Sequence, residues 1–343
     1  MADAPAIEIR SLYKIFGPHA HQHVAAVKDG MSKTELNHQT GHVLGLKDIN
    51  IAMPGGSIQV IMGLSGSGKS TLIRHINRLI DPTAGEVLVG GVDVVKMGSD
   101  ELREFRRHQT AMVFQKFALL PHRTVLDNTV YGLEIQGLPR ATQVAAAMRW
   151  IERVGLKGFE GKYPHQLSGG MQQRVGLARA LTNDAPILLM DEAFSALDPL
   201  IRMDMQSVLL DLQKEIRKTI VFITHDLDEA LRLGDRIAIL RDGEVIQQGT
   251  GQQIVLNPAD DYIAKFVREV NRGRVVEVVS VMTPGGEAPK GAITLAPLDT
   301  LEQAARRLSE STVKTARVAG ADGATLGTVK LEAIVAAMVK PVD

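Results

Sequence analysis

The sequence contains no cysteine among its 343 residues, which excludes disulfide bonds and thiolate chemistry. It also carries no surplus charge, because 39 basic side chains balance 39 acidic ones. Bulk nucleic-acid binding and polybasic membrane anchoring both need excess positive charge, so neither is expected. No apolar run approaches the roughly 18 residues that a membrane-spanning helix requires. The densest run, Ile187 to Met190, has only the length of a strand.

The first five residues, Met1 to Pro5, are acidic and lack the apolar segment of a secretory signal. The overall composition, 45% hydrophobic and 23% charged, is typical of a globular protein. The length suits one large domain with a small one, or two ordinary domains. We therefore expect a cytosolic chain that acts at a membrane only through a partner.

A glycine-rich loop follows a strand predicted over residues 57–62 and precedes a helix predicted from Ser70 to about Ile80. The loop fits the pattern G-x-x-x-x-G-K-[ST] at every position: Gly63, Leu64, Ser65, Gly66, Ser67, Gly68, Lys69 and Ser70. Backbone N–H groups of such a loop surround a β-phosphate, and the helix presents its positive end to the same group. Lys69 would reach the β- and γ-phosphates, and the Ser70 hydroxyl would ligate Mg²⁺. The loop predicts binding of a nucleoside triphosphate.

The apolar strand predicted over residues 187–190 ends in two carboxylates, Asp191 and Glu192. The carboxyl ends of buried parallel strands are where sites form in α/β proteins. Asp191 would hold the metal, directly or through water, and Glu192 would orient and deprotonate an attacking water. The alternative is a strand that ends in solvated acids.

Gln115 and His225 also follow predicted strands, over residues 111–114 and 220–224. The amide oxygen of Gln115 can ligate Mg²⁺ or water without adding charge. His225 should reach the same sheet edge and is a candidate contact for the γ-phosphate. Taken alone, the first would be a surface residue and the second a structural histidine.

A second glycine-rich segment, Leu167-Ser168-Gly169-Gly170, comes about one hundred residues after the loop and precedes a helix predicted from Met171 to about Leu181. We call residues 167–170 the signature segment. Ser168 could simply cap that helix, but free N–H groups and a hydroxyl also make an anion site. One domain rarely needs two phosphate-recognising turns. The pattern therefore predicts two chains that close each other's nucleotide sites.

The ordered set of loop, Gln115, signature segment, double acid and His225 resembles the nucleotide-binding subunit of ATP-binding cassette (ABC) transporters over roughly residues 5–270. The resemblance implies an α/β P-loop NTPase fold with a mixed sheet, a RecA-like core and a helical subdomain over about residues 99–168. It also implies a head-to-tail homodimer with ATP at the interface.

Carried over to this sequence, the resemblance implies a role for each matching residue. Phe16 would stack on adenine, and Gly63 to Thr71 would wrap the phosphates. The remaining roles are Mg²⁺ ligation by Ser70, Gln115 and Asp191, general base catalysis by Glu192, γ-phosphate sensing by His225, closure of the partner's site by Ser168, Gly169 and Gly170, and communication between the sites by Asp198. Met171 stands where many members have Gln, so the contact in the partner's site would fall to Ser168 and backbone amides.

A narrower resemblance, to the ATPases of glycine betaine/proline/choline importers, covers residues 12–17, the insert over residues 17–46 and residues 114–122. It implies a bacterial importer ATPase for choline, glycine betaine or proline. Histidine and amino-acid importers of the same subfamily share these features and remain an alternative. Implied partners are integral-membrane permease subunits and, indirectly, a periplasmic or lipoprotein substrate-binding protein. The implied location is peripheral, on the cytoplasmic face of the inner membrane.

The tail over residues 271–343 is similar to a single cystathionine-β-synthase-type (CBS) motif from Val281 onward, which implies a small α/β regulatory or dimer-bracing region. The alternative is an inert remnant. The alternating His19, His21 and His23 lack an accompanying carboxylate or cysteine, so we interpret them as part of a polar insert rather than a metal site.

Other ABC proteins and phosphate-loop enzymes are alternatives that the sequence disfavours. ATPases of DNA repair carry long coiled coils between the loop and the signature segment, and no sustained heptads occur here. Translation-factor ATPases usually fuse two cassettes, and only one is present. A small-molecule kinase would need no signature segment.

Overall fold

The computed structural model describes residues 4–115, 117–195 and 197–339. Lys116, within the stretch of residues 114–122, and Ala196, two residues before Asp198, lie outside the described residues. The chain divides into two compact units, Met1–Gln248 and Gly249–Asp343. The boundary predicted from sequence, at residue 270, is later than this division, and the assignment of a 1–270 domain stays a prediction.

The first unit contains ten strands and nine helices within the described residues. The strands are β1 Ile7–Phe16, β2 Val43–Met53, β3 Ile58–Met62, β4 Ala84–Val89, β5 Val92–Asp93, β6 Thr110–Val113, β7 Ile187–Asp191, β8 Thr219–Thr224, β9 Arg236–Arg241 and β10 Glu244–Gly249. The helices are α1 Val24–Lys28, α2 Lys33–Thr40, α3 Lys69–Ile76, α4 Ser99–His108, α5 Val125–Ile135, α6 Arg140–Arg153, α7 Gly169–Thr182, α8 Pro199–Ile216 and α9 Leu227–Leu233. Short 3₁₀ turns occupy Ala20–His23, Val94–Lys96 and Pro164–Gln166.

Six strands form one sheet in the order β10-β9-β3-β8-β7-β6. β3 is parallel to β8 and β9, and β7 is parallel to β6 and β8. Every residue of β3, β7 and β8 is buried, which explains why these strands are continuous apolar runs. The loops that follow β3, β8, β7 and β6 therefore meet at one edge of the sheet. The predicted strands at this edge are confirmed.

A second sheet, with the order β2-β1-β4-β5, is antiparallel and packs on α3. Leu72, Ile73 and Ile76 of α3 are fully buried in one core with apolar residues of both sheets. The helix ends at Ile76, earlier than the predicted Ile80. Arg78 follows with φ of 49°, a left-handed conformation that a right-handed helix cannot continue.

The insert folds as two short helices against β1 and β2, and the predicted helix cap at Ser32 is confirmed. The Ser32 Oγ accepts a hydrogen bond from the Glu35 N–H at 3.2 Å, and the Glu35 carboxylate accepts one from the Ser32 N–H at 2.8 Å. Val27 and Leu36 are fully buried in a small core that includes Leu44 of β2. The insert is therefore a packed part of the first unit.

The second unit contains its own sheet and core. Its strands are β11 Thr283–Pro284, β12 Thr294–Leu295, β13 Thr315–Ala319 and β14 Thr325–Lys330, in the order β11-β14-β13-β12. Its helices are α10 Gly251–Leu256, α11 Asp261–Val267, α12 Arg272–Val275, α13 Leu301–Glu310 and α14 Leu331–Met338, with a 3₁₀ turn at Val278–Ser280. The two helices predicted near residues 301 and 331 are confirmed. Within the described ranges, no helix has the length and apolar character needed to cross a bilayer.

Candidate functional site

A cavity of about 380 Å³ opens at the carboxyl edge of the six-stranded sheet. It brings together side chains from the phosphate loop, from the ends of β1, β6 and β7, and from the insert. The lining residues are Phe16, Lys33, Val43, Leu44, Gly45, Ser65, Gly66, Gly68, Lys69, Ser70, Thr71, Gln115 and Glu192. Four separately predicted features thus meet in one place: the loop, the aromatic residue, the glutamine and the second acid.

The phosphate loop has the backbone shape that its glycines allow. Gly63, Gly66 and Gly68 have φ of 152°, 80° and 101°, which side-chain-bearing residues rarely adopt. A Cβ at Gly63 would lie 2.2 Å from the Leu240 carbonyl oxygen, so the loop closely approaches β9. The Ser67 Oγ is buried without a hydrogen-bond partner among the described residues. A closely curved loop with an unused buried hydroxyl fits a bound phosphate.

Lys69 is the first residue of α3 and is almost fully buried. Its Nζ donates to the carbonyl oxygens of Gly63 at 2.7 Å and Leu64 at 3.0 Å, and lies 3.8 Å from the Glu192 Oε1. Burial lowers the pKa of the Lys69 ammonium, while the carboxylates of Glu192 and Asp191 oppose that shift. The ammonium is therefore held at the mouth of the loop.

Ser70 and Asp191 form the candidate metal position. The Ser70 hydroxyl donates to the Asp191 Oδ1 at 2.7 Å, and Asp191 is 3% exposed. Arg74, which the sequence reasoning missed, donates from Nη2 to the Asp191 Oδ2 at 3.4 Å. Its spacing of four residues from Ser70 on α3 was the available signal, because residues i and i+4 share a helix face. Hydroxyl and carboxylate oxygens suit Mg²⁺.

Glu192 lies at the centre of a polar group at the end of β7. Its Oε2 accepts a hydrogen bond from the Gln115 Nε2 at 2.8 Å and lies 3.8 Å from the Nδ1 of His225. Its φ is 45°, a left-handed conformation that costs about 1 kcal/mol for a residue with a side chain. The Ser195 Oγ donates to the Glu192 carbonyl oxygen at 2.9 Å and supports this turn. The structure thus brings Gln115 and His225 to Glu192, at the sheet edge that His225 was expected to reach.

Phe16 ends β1 and lies between two cavities, because it also lines a second one of about 420 Å³. The Lys14 Nζ lies 5.0 Å from the Phe16 ring centroid, and Lys14 lines only the second cavity. A Cβ at Gly45 would lie 2.6 Å from the Phe16 Cε2, so the glycine makes room for the ring. One side of the ring is therefore available to the first cavity.

The signature segment differs from this arrangement. Ser168 is the N-cap of α7, and its Oγ accepts a hydrogen bond from the Met171 N–H at 3.3 Å. Ser168 and Gly169 are exposed, and no residue of the segment is among the described residues that line the cavity. The last residue of the segment, Gly170, packs closely on α8, because a Cβ at Gly170 would lie 3.2 Å from the Ile201 Cγ2.

Two further features lie at the start of α8. Asp198 is the N-cap of α8 and accepts a hydrogen bond from the Ile201 N–H at 3.1 Å. Leu200 and Met203 in the first turn expose 75% and 54% of their surface. The start of α8, with the exposed side chains of Leu200 and Met203, is therefore a face that no described element covers.

The histidines of the insert form ring contacts. The rings of His23 and His42 have centroids 4.3 Å apart, and His42 Nε2 lies 2.7 Å from the Pro18 carbonyl oxygen. In the described part of the chain, no three histidine or acidic side chains are grouped so that they could hold a metal ion. The described residues therefore provide no further ligands that would support a metal site at His19, His21 and His23.

Comparisons with known proteins agree on one family. The family profile described as "ABC transporter" matches residues 46–195. The glycine betaine transport ATP-binding protein OpuAA of Bacillus subtilis is 52% identical over 294 residues, which cover 84% of this chain and 70% of that protein. The trimethylamine N-oxide transport system ATP-binding protein TmoW of Ruegeria pomeroyi is 47% identical over 305 residues, which cover 89% of each chain.

A solved structure shares the fold. The ATP-binding cassette MJ0796, in a dimeric post-hydrolysis state bound to ADP and Pi, superposes with a TM-score of 0.61 at 32% identity. The match covers 71% of this chain and 98% of that one.

Proposed function

The chain belongs to the ABC transporter family as an ATP-binding subunit, and from this membership we propose that it energises uptake of a quaternary-amine osmolyte. The family inferred from the motifs is thereby confirmed. The enzyme is an ATPase of an ABC importer, in which hydrolysis of ATP is coupled to transport. The observation that carries the catalytic proposal is the meeting of the phosphate loop, Gln115 and Glu192 around one cavity.

In our proposal ATP occupies that cavity with its adenine against Phe16 and its phosphates in the loop of residues 63–71. The Lys69 ammonium, now bonded to loop carbonyls, would turn to the β- and γ-phosphates. Glu192 would take a proton from the attacking water, because its carboxylate is held beside Gln115 and His225. His225 would then contact the γ-phosphate from the neighbouring strand.

We assign Mg²⁺ to the oxygens of Ser70, Gln115 and Asp191. The supporting observation is the 2.7 Å bond from the Ser70 hydroxyl to the Asp191 carboxylate, which already places two oxygen ligands together. When bound, the ion would neutralise charge that develops on the phosphates. Arg74 would hold the other oxygen of Asp191 and keep this carboxylate oriented.

We further propose that two copies bind ATP head to tail, so that the signature segment of one copy closes the cavity of the other. The exposed Ser168 and Gly169 and the uncovered side chains of Leu200 and Met203 support this arrangement. The similar cassette MJ0796 is itself dimeric. Asp198 would link the two sites.

The proposed assembly includes integral-membrane permease subunits at the cytoplasmic face, with residues 115–122 near the contact, and a substrate-binding protein acting indirectly. Glycine betaine is the proposed solute, since OpuAA is named for its transport, and trimethylamine N-oxide is the alternative that TmoW suggests. Choline, proline and histidine remain further candidates from the sequence. For residues 271–343 we propose a regulatory or dimer-bracing role of a single CBS-like motif, against the alternative of a remnant.

The decisive experiment reconstitutes the chain with its permease in vesicles and supplies the binding protein loaded with each candidate solute in turn. We expect hydrolysis of ATP to rise with glycine betaine and to stay basal with histidine. Stimulation only by histidine would contradict the proposed solute class, and no stimulation by any solute would contradict the transport coupling. Deleting residues after about 275 should alter the activity or its salt response if residues 271–343 are regulatory, whereas no change in either would contradict that role.

A further inference from the structure

One wall of the nucleotide cavity comes from the insert, which lies before the residues 46–195 matched by the family. Lys33, the first residue of α2, lines the cavity together with the phosphate loop. We propose that Lys33 binds the phosphate chain of the nucleotide and is a second ammonium of this site besides Lys69. This inference rests on the proposed ATP binding and adds a residue that the loop motif does not contain.

The backbone of Lys33 is held firmly in place. The reciprocal bonds between Ser32 and Glu35 fix the first turn of α2, and Leu36 is fully buried one turn later. Leu36 packs in the small core with Leu44, the neighbour of Gly45 on the cavity wall. The insert therefore fixes where the Lys33 side chain begins, and only its flexible stem has to move.

The charge of Lys33 is weakly engaged in the structure. Its Nζ lies 4.0 Å from the Asp242 Oδ1, and the two side chains are 43% and 79% exposed. An exposed pair at that distance contributes little, so exchange of Asp242 for a phosphate costs little. Lys69, by contrast, donates to two loop carbonyls. Lys33 is thus the lysine of the cavity wall with donors available to a ligand.

The partner of Lys33 also locates the ammonium beside the loop. Asp242 and Gly243 form the turn between β9 and β10, with φ of 52° and 84°. The Gly243 N–H donates to the Ser67 carbonyl oxygen at 3.1 Å, so this turn lies directly against the phosphate loop. An ammonium held by Asp242 is therefore near the loop that surrounds the phosphates. A lysine there favours an anionic phosphate chain over an uncharged base or sugar.

The test measures dissociation constants of ATP, ADP and adenosine for the full chain carrying Lys33→Ala, Lys33→Arg or Lys33→Glu. Lys28→Ala is the matched control, because Lys28 is an exposed lysine of the same insert that does not line the cavity. We expect Lys33→Ala to weaken ATP about three- to tenfold and Lys33→Glu to weaken it further. Lys33→Arg should stay within about twofold of wild type, as should Lys28→Ala. Adenosine binding should not respond to any of them.

Any one of the following outcomes would overturn the inference. They are an unchanged ATP affinity in Lys33→Ala, an equal loss in Lys28→Ala, or a loss that Lys33→Arg does not prevent. A loss that is as large for adenosine as for ATP would also exclude a phosphate contact. Measuring Lys69→Ala alongside distinguishes a failure of the Lys33 inference from a failure of the proposed function. If wild type binds ATP and Lys69→Ala binds it more weakly, ATP binding stands whatever Lys33 does, whereas absence of binding in wild type contradicts the proposed function itself.

Discussion

The phosphate-loop region and the signature segment share glycine and serine chemistry but differ in how much of their environment the single chain supplies. We define the phosphate-loop region as residues 63–71 with Asp191 and Glu192. There Lys69 and Asp191 are nearly buried, and their side chains are bonded to other parts of the same site. At the signature segment, the Ser168 hydroxyl accepts a hydrogen bond from the N–H three residues ahead, and both Ser168 and Gly169 are exposed. The first region is assembled within one chain, whereas the second is an exposed surface of that chain.

The difference explains what each region contributes. We expect a buried loop with its acids to bind nucleotide and metal within one chain, because desolvated and prearranged charges interact strongly. An exposed helix start gains a ligand only when something covers it. We therefore expect changes in the first region to alter ATP binding or hydrolysis within a chain. Changes in the second should alter only what happens between chains.

The largest effect is expected from Glu192→Gln, which removes the proposed base but keeps the shape and a hydrogen bond to Gln115. Hydrolysis should fall roughly 100- to 10,000-fold, because that is what a positioned general base contributes. ATP affinity should be retained, and the dimer should accumulate with ATP in gel filtration. Glu101→Gln, on the exposed side of α4, is the control. Normal turnover in Glu192→Gln would show that another group is the base.

The next largest effect is expected on the stability of the folded chain in acid, through His75 of the helix that follows the phosphate loop. His75 of α3 is fully buried, and burial lowers its pKa from 6.5 to about 4. Between these pH values the unfolded chain binds the extra proton and the folded chain does not. The contribution of neutral His75 to the free energy of unfolding is therefore fully present above pH 6.5. It is lost as the pH falls toward 4, by about 3 kcal/mol in total.

Denaturant unfolding at a series of pH values checks this expectation. His75→Gln should flatten the loss of stability between pH 6.5 and 4, because its side chain does not titrate. His165→Gln, at an exposed position just before the signature segment, should keep the wild-type pH dependence. If stability depended equally on pH in wild type and in His75→Gln, the lowered pKa of His75 would not be the cause of the loss. The contrast between the two regions would then be weaker.

A smaller effect is expected from Lys69→Ala, which deletes the ammonium that would hold the β- and γ-phosphates. The dissociation constant of ATP should rise about 10- to 100-fold, in line with the loss of charge-assisted hydrogen bonds. Isothermal titration of the single chain at low concentration measures this directly. Affinity equal to that of wild type would mean that the loop does not bind phosphate through this lysine.

Ser168→Arg should have the smallest effect on ATP affinity, within about twofold, because the segment does not line the cavity of its own chain. The dimer that wild type forms with ATP should nevertheless be lost, since the bulky side chain blocks the surface that meets the partner. Sedimentation with and without ATP measures the change. A large loss of affinity in the monomer would place the segment in its own chain's site.

Much of the phosphate-loop region could be predicted from sequence, because its determinants are local. The eight loop positions, the apolar strand before Asp191 and the cap at Ser32 each act over a few residues, and the structure contains them. The approach of Lys33 to the cavity could not be predicted in this way. It depends on how the insert packs on β1 and β2 through Leu36 and Leu44, which are eight residues apart in sequence and meet only in the fold.

Two other features were also beyond local patterns. The left-handed conformation of Glu192 follows from its place between β7 and the turn supported by Ser195, and nothing in the residue type favours it. The early end of α3 at Ile76 depends on the left-handed conformation of Arg78, whose side chain donates to the Asp81 carboxylate at 2.6 Å and to the Met97 carbonyl oxygen at 2.6 Å. The contact between Arg78 and Met97 joins residues 19 positions apart, so single-residue propensities do not encode it.

The central claim is that a working site takes its phosphate loop from one chain and its signature segment from another. Mixing Lys69→Ala chains with Ser168→Ala chains, which keep a small side chain at the dimer contact, tests it directly, because a mixed dimer has one site with both defects and one site with neither. We predict that the mixture hydrolyses ATP well above either variant alone, at up to about a quarter of the wild-type rate for random pairing. If each site is built within a single chain, the mixture will be as inactive as its two components.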